Sequence, residues 1–390
     1  MRNGIVTSIG AIGCAAVLST SVNAMDVKHE FGGAWYTEAY FQDNMSGTDQ
    51  DDTNEVIEAQ ARIYYTANFD EKFKFVNKFE FDTQWGVADS GGDIGTDGNS
   101  FELKNSYVDF FISDTNVKVG LQGGTIARGF IFDDDFAGVT ATFKSGETVI
   151  PVMWVKAVDN EDDSSPTASR VDYFAIQPTF SLSKDVSLTP YFVLDHSAED
   201  DRDVFFIGAD IDAKINDWSL WGSAIMQSGD IDATTDTTGY LVAAGAEYDM
   251  FHGQFFYASG DDDATDSSND EFRGVEGRSY CWSEIMGEDE FGDESNGSPG
   301  DAPSNVYAIN AGITHKFSSA TKLTADLWYA SLVEDDANGE TDLGVEGNLK
   351  LTHKINKYMK LDLLVAYLAA GDATGEENPI QAGAKLSFKY

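Results

Sequence analysis

The feature that most limits what this chain can become is a two-residue rhythm of apolar and polar side chains, held over ten or more residues at a time. The C-terminal stretch NPIQAGAKLSFKY shows it. Ile380, Ala382, Ala384, Leu386, Phe388 and Tyr390 share one face, and Gln381, Gly383, Lys385, Ser387 and Lys389 share the other. Successive side chains alternate across a β-strand, so this period marks a strand with one greasy side and one polar side. The rhythm returns in VIEAQARIYYTANF, where Ile57, Ala59, Ala61, Ile63 and Tyr65 oppose Glu58, Gln60, Arg62 and Tyr64. It recurs in FKFVNKFEFDTQW and LGVEGNLKLTHKI. Soluble strands average about five or six residues, whereas a strand crossing a bilayer needs roughly 9–11. Two segments, NSYVDFFI and ETVIPVMWV, do not choose a face cleanly.

Eighteen such segments can be placed, at 29–41, 55–68, 73–86, 101–113, 116–124, 135–144, 147–157, 170–182, 186–195, 203–214, 217–228, 238–248, 252–260, 305–317, 321–332, 341–354, 358–370 and 378–390. The connections alternate between short turns such as DEK, DT, SKD and ND and long loops such as 42–54, 87–100, 158–169 and 261–304. Charge follows the same alternation. Lysines gather near the short turns, among them Lys72, Lys144, Lys184, Lys316, Lys322, Lys354 and Lys360, while the long loops are rich in carboxylates. Loop 261–304 holds fourteen Asp or Glu against Arg273 and Arg278. Short turns on the periplasmic side, longer outside loops and an even strand count predict an all-β fold, a transmembrane antiparallel up-and-down β-barrel of an outer membrane. Hydrocarbon offers no partner to an open sheet edge, so the sheet must close, and eighteen strands leave room for water inside.

Residues 1–24 read as a signal peptide: Arg2 precedes the apolar IVTSIGAIGCAAVL, and VNA ends at a small-residue cleavage site. The mature chain is then 25–390, the outer-membrane β-barrel itself. Cleavage removes Arg2 and takes the formal charge from −42 to −43. A surface so acidic argues against nucleic acid as a partner. Cleavage also removes Cys14 and leaves Cys281 without an intrachain disulfide partner. No CxxC, HExxH, GxSxG or P-loop occurs, and the five histidines are scattered, so the residues support neither an enzyme nor a cofactor. Weak Ca²⁺ or Mg²⁺ binding at the acidic outer loops is the one metal expectation.

Two stretches depart from the hairpin rhythm. GLQGGTIARGFIFDDDFAGVTATFK turns through several glycines and combines Arg128 with Asp133, Asp134 and Asp135. Residues 125–136 either fold into the lumen or lie at the outer rim. If they fold inward, Arg62, Lys78 and Lys104 on the wall would face the aspartates across a constriction, and rings of charge are how pores select solutes. The second stretch, GRSYCWSEIMG, is an apolar island within the most acidic loop. Tyr280, Cys281, Trp282, Ile285 and Met286 need cover, from loop packing, from a lid over the mouth, or from a partner protein.

In VGLQGGTIARGFIFDDDFAGV, YCWSEIMG and the aromatic last strand, the sequence resembles the porin-like, alginate-export-type outer-membrane barrels of Gram-negative bacteria. The resemblance implies an eighteen-stranded barrel with a narrow charged pore. The alginate exporter of that type has a pore lined by Arg and Lys, whereas only seven arginines occur here and the outer loops are acidic. The pore role therefore carries over and the polyuronate does not. The expectation is a porin for small hydrophilic solutes or ions, cation-favouring at its mouth. The alternative is a barrel scaffold or sheath for an electron-transfer or adhesion partner. Expected surroundings are lipid, lipopolysaccharide and the barrel-assembly machinery, which the last strand resembles a signal for, with the chain a monomer or homotrimer.

Overall fold

The computed structural model describes residues 27–48, 52–95, 101–159, 170–263, 265–292 and 294–390, so the signal peptide read above lies outside the described residues. The alternating segments form wall strands whose bounds differ from the sequence-based ranges by no more than four residues. They are β1 (Lys28–Asp43), β2 (Asn54–Asp70), β3 (Phe73–Gln84), β4 (Glu102–Ile112), β5 (Thr115–Ile126) and β6 (Phe132–Ser145). Next come β7 (Thr148–Asp159), β8 (Arg170–Ile176, resumed at Phe180–Ser183), β9 (Val186–Ser197), β10 (Arg202–Ile215), β11 (Trp218–Asp232) and β12 (Tyr240–Tyr248). The circuit ends with β13 (Phe251–Ala258), β14 (Val306–Lys316), β15 (Thr321–Leu332), β16 (Asp342–Lys354), β17 (Met359–Ala370) and β18 (Ile380–Lys389). Pro178 lies in the gap that splits β8, where a missing N–H interrupts the ladder.

Each wall strand pairs antiparallel with its sequence neighbour, and β1 closes the circle. Trp35 faces Ala61 of β2 on one side and Phe388 of β18 on the other. The fold is a closed eighteen-stranded antiparallel barrel, all-β as the rhythm predicts.

Strand β17 shows how the wall is built. Leu363, Val365 and Tyr367 point outward and stay exposed, part of an apolar belt that includes Ile309, Leu327 and Leu349. A bilayer core is the medium that such a belt wants. The inward face of β17 changes along its length, from Lys360 and Asp362 at the short-turn end to Leu364, Ala366 and Leu368 at the long-loop end. Strand β15 repeats the series with Lys322, Asp326, Trp328, Ala330 and Leu332, and β10 runs from Asp212 and Asp210 to Phe206 and Val204. Apolar side chains inside a barrel need cover from water, and protein supplies it.

Two segments form that cover. Beyond Leu121 and Ala137, β5 and β6 pair only with each other, because their ladders to β4 and β7 have ended. This hairpin tip leaves the wall and buries Ile126, Phe130, Ile131, Phe132 and Phe136. The long connection from β13 to β14 meets it. Phe130 stacks on Tyr280 with ring centres 3.8 Å apart, Asp133 N–H donates to Gly277 O at 2.9 Å, and Ser279 N–H donates to Gly129 O at 3.2 Å. Gly129 has φ +95°, and a Cβ there would stand 2.1 Å from Ser279 O, so only glycine permits this approach. Together the tip and the connection form a plug with its own apolar core. Loop 261–304, read from sequence as an outside loop, is thus a correction: its middle, from Phe272 to Phe291, packs within the barrel wall. ETVIPVMWV has two apolar faces for the same reason. Trp154 is exposed outward, whereas Met153 and Val155 are buried in the plug core.

Candidate solute pathway through the barrel

The plug is tied to the wall by charge. Glu346, fully buried on β16, accepts backbone N–H groups from Glu284 at 2.8 Å, Ile285 at 3.1 Å and Met286 at 2.8 Å. Glu290 binds Lys350 of β16 and, at 3.2 Å, Lys385 of β18, which also reaches Glu38 of β1 at 2.7 Å. Burial works against the charged form of Glu290, but Lys350 and Lys385 outweigh it and hold the carboxyl below its usual range. Glu284 has the opposite fate. Burial and the neighbouring Asp289 push its carboxyl up to about 8.

Below the plug lies a cavity of about 950 Å³. Lys316, Lys322, Lys354 and Lys360 line it toward the short-turn end; His252, Asn310, Asp326 and Asp362 line its flank; Trp282, Ser283, Glu284, Asp289, Trp328 and Asn348 form its ceiling. The alternation in LGVEGNLKLTHKI puts Asn348 and Lys354 on the polar, inward face, whereas Trp328 is an apolar side chain that faces inward against that rule. Their convergence with loop residues 282–289 could not be read from strand period, because the loop carries none.

The sequence-predicted filter residues divide. Arg62 is bonded to Glu80, and Lys104 pairs with Glu80 at 3.3 Å and Glu102 at 3.6 Å. Lys78 makes no ion pair among the described residues. Asp135 accepts from Asn105 of β4 at 2.7 Å, and Asn105 lies opposite Lys78 in the ladder, so the tip and the β3–β4 wall do meet. Asp133 accepts from Thr125 at 2.7 Å, Asp134 accepts from the Asp135 N–H, and both are exposed. Arg128 reaches β10, donating to Asp212 at 2.7 Å and lying 5.0 Å from the Trp221 ring. The structure thus brings Asp135 to the β3–β4 wall and leaves Asp133, Asp134 and Arg128 elsewhere. Arg62 and Lys104 are matched by wall carboxylates, and Arg128 answers a different wall. Carboxylate oxygens of Glu80, Asp82 and Glu102 lie within 4.8 Å of one another, a grouping missed because each sat on an ordinary polar face. Glu80 is already committed to two cations.

Of the covers open to the apolar island, loop packing is the one these side chains use. Ile285 and Met286 are fully buried, Trp282 packs edge-on against Trp328 at 5.2 Å, and the Tyr280 hydroxyl donates to Gln254 at 2.8 Å. Four of the five island side chains thus find their cover within the chain. Cys281 alone of the five is exposed; desolvation raises its thiol to about 11, so it is protonated at neutral pH.

No family model matches the chain, and no curated protein does. Solved structures match in fold. Pseudomonas aeruginosa OccK9 (OpdG) superposes with a TM-score of 0.64 at 11% identity, covering 93% of this chain and 98% of that one. Pseudomonas aeruginosa OpdK, solved with vanillate, gives 0.61 at 13%, again covering 93% and 98%. OccK8 (OprE) of the same organism gives 0.62 at 10%, with the same coverage. These outer-membrane barrels share the eighteen-strand architecture with this chain.

Proposed function

We propose that this chain is a passive porin of a Gram-negative outer membrane, exported by a cleaved signal peptide, in which small hydrophilic solutes cross a charged, water-filled lumen without chemistry. The observation that carries the reading is the contrast between the two faces of one wall: an apolar belt outside, and Arg62, Glu80, Lys104, Lys350 and Lys385 inside. The plug narrows the lumen, and its inner charges act as the filter. A cavity of about 950 Å³ suits solutes of the size of vanillate, the small organic acid in the OpdK structure. The alginate-type resemblance rests on two loops, and a polyuronate is not its cargo, because the acidic mouth repels polyanions.

The carboxylate-rich outer loops favour cations at the mouth and hold Ca²⁺ or Mg²⁺ weakly beside lipopolysaccharide. Phe388 and the exposed Tyr390 form the end read by the barrel-assembly machinery. The test is reversal potential of the purified protein in a planar bilayer under a KCl gradient. A conductance whose cation selectivity weakens as salt rises is expected. Absence of conductance overturns the porin; anion selectivity overturns the charge argument.

A further inference from the structure

The underside of the plug holds more acceptors than its own partners use. Glu284 and Asp289 face the cavity together. Beside them, Ser283 is 3% exposed and Asn348 is 7% exposed, and both line the same cavity. The Ser283 hydroxyl oxygen and Asn348 Oδ1 are buried with no hydrogen-bond partner. Orphaned buried acceptors are costly, so a ligand that donates to them recovers that cost. The neighbouring surface is aromatic: Trp282 and Trp328 stand edge to face with centres 5.2 Å apart. Carboxyls, an amide oxygen, a hydroxyl and indole faces describe a receptor for N–H donors carried on a cation with an alkyl body.

From this geometry we propose that the ceiling formed by Ser283, Glu284, Asp289 and Asn348, flanked by Trp282 and Trp328, binds the primary ammonium group of an organic solute. The inference rests on the porin reading for the solute's route and on the cavity alone for its binding. Lys350 also lines the cavity, two residues along β16 from Asn348, but its ammonium is bonded to Glu290, and the lysines at the rim stand farther off. Lys322 faces Thr352 of β16, four residues along the strand from Asn348. Four residues span about 13 Å, which exceeds the Debye length of about 8 Å at physiological salt. Asp362, 2.6 Å from Lys360, offsets that cation as well. The elevated pKa of Glu284 fits the arrangement, since an arriving ammonium supplies the charge that the buried carboxyl lacks.

The experiment uses the full mature chain and n-butylammonium, with n-butanol as the neutral isostere. Two readouts are taken: block of KCl current from the short-turn side of a bilayer, and titration by tryptophan fluorescence in detergent. Butylammonium should block and titrate with the same midpoint, and butanol should do neither at tenfold higher concentration. Glu284→Gln with Asp289→Asn should weaken binding at least tenfold, and Ser283→Ala, which leaves the charges in place, by a few-fold. Each variant is first shown to keep the barrel's heat-modifiable gel mobility. Equal effects of butanol and butylammonium, or an unchanged midpoint in the double variant, overturn the site. If titration persists while no conductance is seen, the site stands and the porin reading falls. A KCl conductance without butylammonium binding falls the other way.

Discussion

Replacing Glu346 with Ala tests how the plug is held. The carboxylate accepts three backbone N–H groups from consecutive residues, Glu284, Ile285 and Met286, at a fully buried position. Each orphaned buried donor costs about 1–3 kcal/mol, so the three together lose about 3–9 kcal/mol. Against that stands the burial of Ile285 and Met286, worth about 1.5–3 kcal/mol apiece, or about 3–6 kcal/mol. The two sums are of similar size. Trp282, Phe291 and the Glu290–lysine pairs still hold the rest of the plug, so residues 284–286 should open locally far more often while the eighteen-strand wall survives. In a bilayer the variant should show larger mean conductance and more current noise than the parent. In detergent, limited proteolysis should cut within 272–291 at least tenfold faster, with the heat-modifiable mobility of the barrel retained. If conductance, noise and cleavage rate all match the parent, Glu346 is not the anchor and the energetic comparison is wrong.

Other outcomes follow from neighbouring contacts. Gly129→Ala places a Cβ against Ser279 O at φ +95° and should loosen the tip–loop contact by about 2 kcal/mol or more, read as faster exchange of amides 127–133. Lys350→Ala strips Glu290 of one of its two lysines. The loss should be about 2 kcal/mol, less than the roughly 3–5 expected for a lone buried pair because Lys385 remains, and thermal unfolding measures it. Plug stability should peak between two pH limits, read as loop cleavage rate against pH. Glu290, depressed in the fold, stabilises above its unfolded value near 4.5 and loses that contribution as pH falls below it. Glu284, raised to about 8, stabilises fully below 4.5 and loses its contribution as pH climbs through 8, with Asp289 shifting the same way. The groups facing this pair are Glu290, Lys350, Lys385 and Glu346. A cleavage rate flat from pH 3 to 10 would count against both assignments.

The wall was legible because a membrane strand obeys a two-residue rule along its whole length. Ile380 to Tyr390 could be sorted into two faces by eye, and in the structure Gln381, Gly383 and Lys385 do share the inward face. The plug was legible only as a disturbance. Met153 and Val155 spoiled the alternation of β7, and the island around Trp282 demanded cover, but period says nothing about which protein surface provides it. The binding partners of Arg128 were hidden for another reason. Asp210 and Asp212 lie over eighty positions away and look like any other polar-face residues until the hairpin tip bends across. Glu346 was likewise one polar residue in a clean series, with no mark of its three N–H donors.

Phe291 also sits where the chain's two ends meet. Its carbonyl accepts from Gln42 of β1 at 2.9 Å, that same amide donates to Gln381 of β18, and a Cβ at Gly383 would come within 2.6 Å of its ring. The last zipper of the cylinder, first strand to final strand, is thus stitched over a piece of the interior. The ten-pair ladder of that seam and the seat of Phe291 therefore share residues, so a change at Gln42 or Gly383 bears on the wall and the stopper at once.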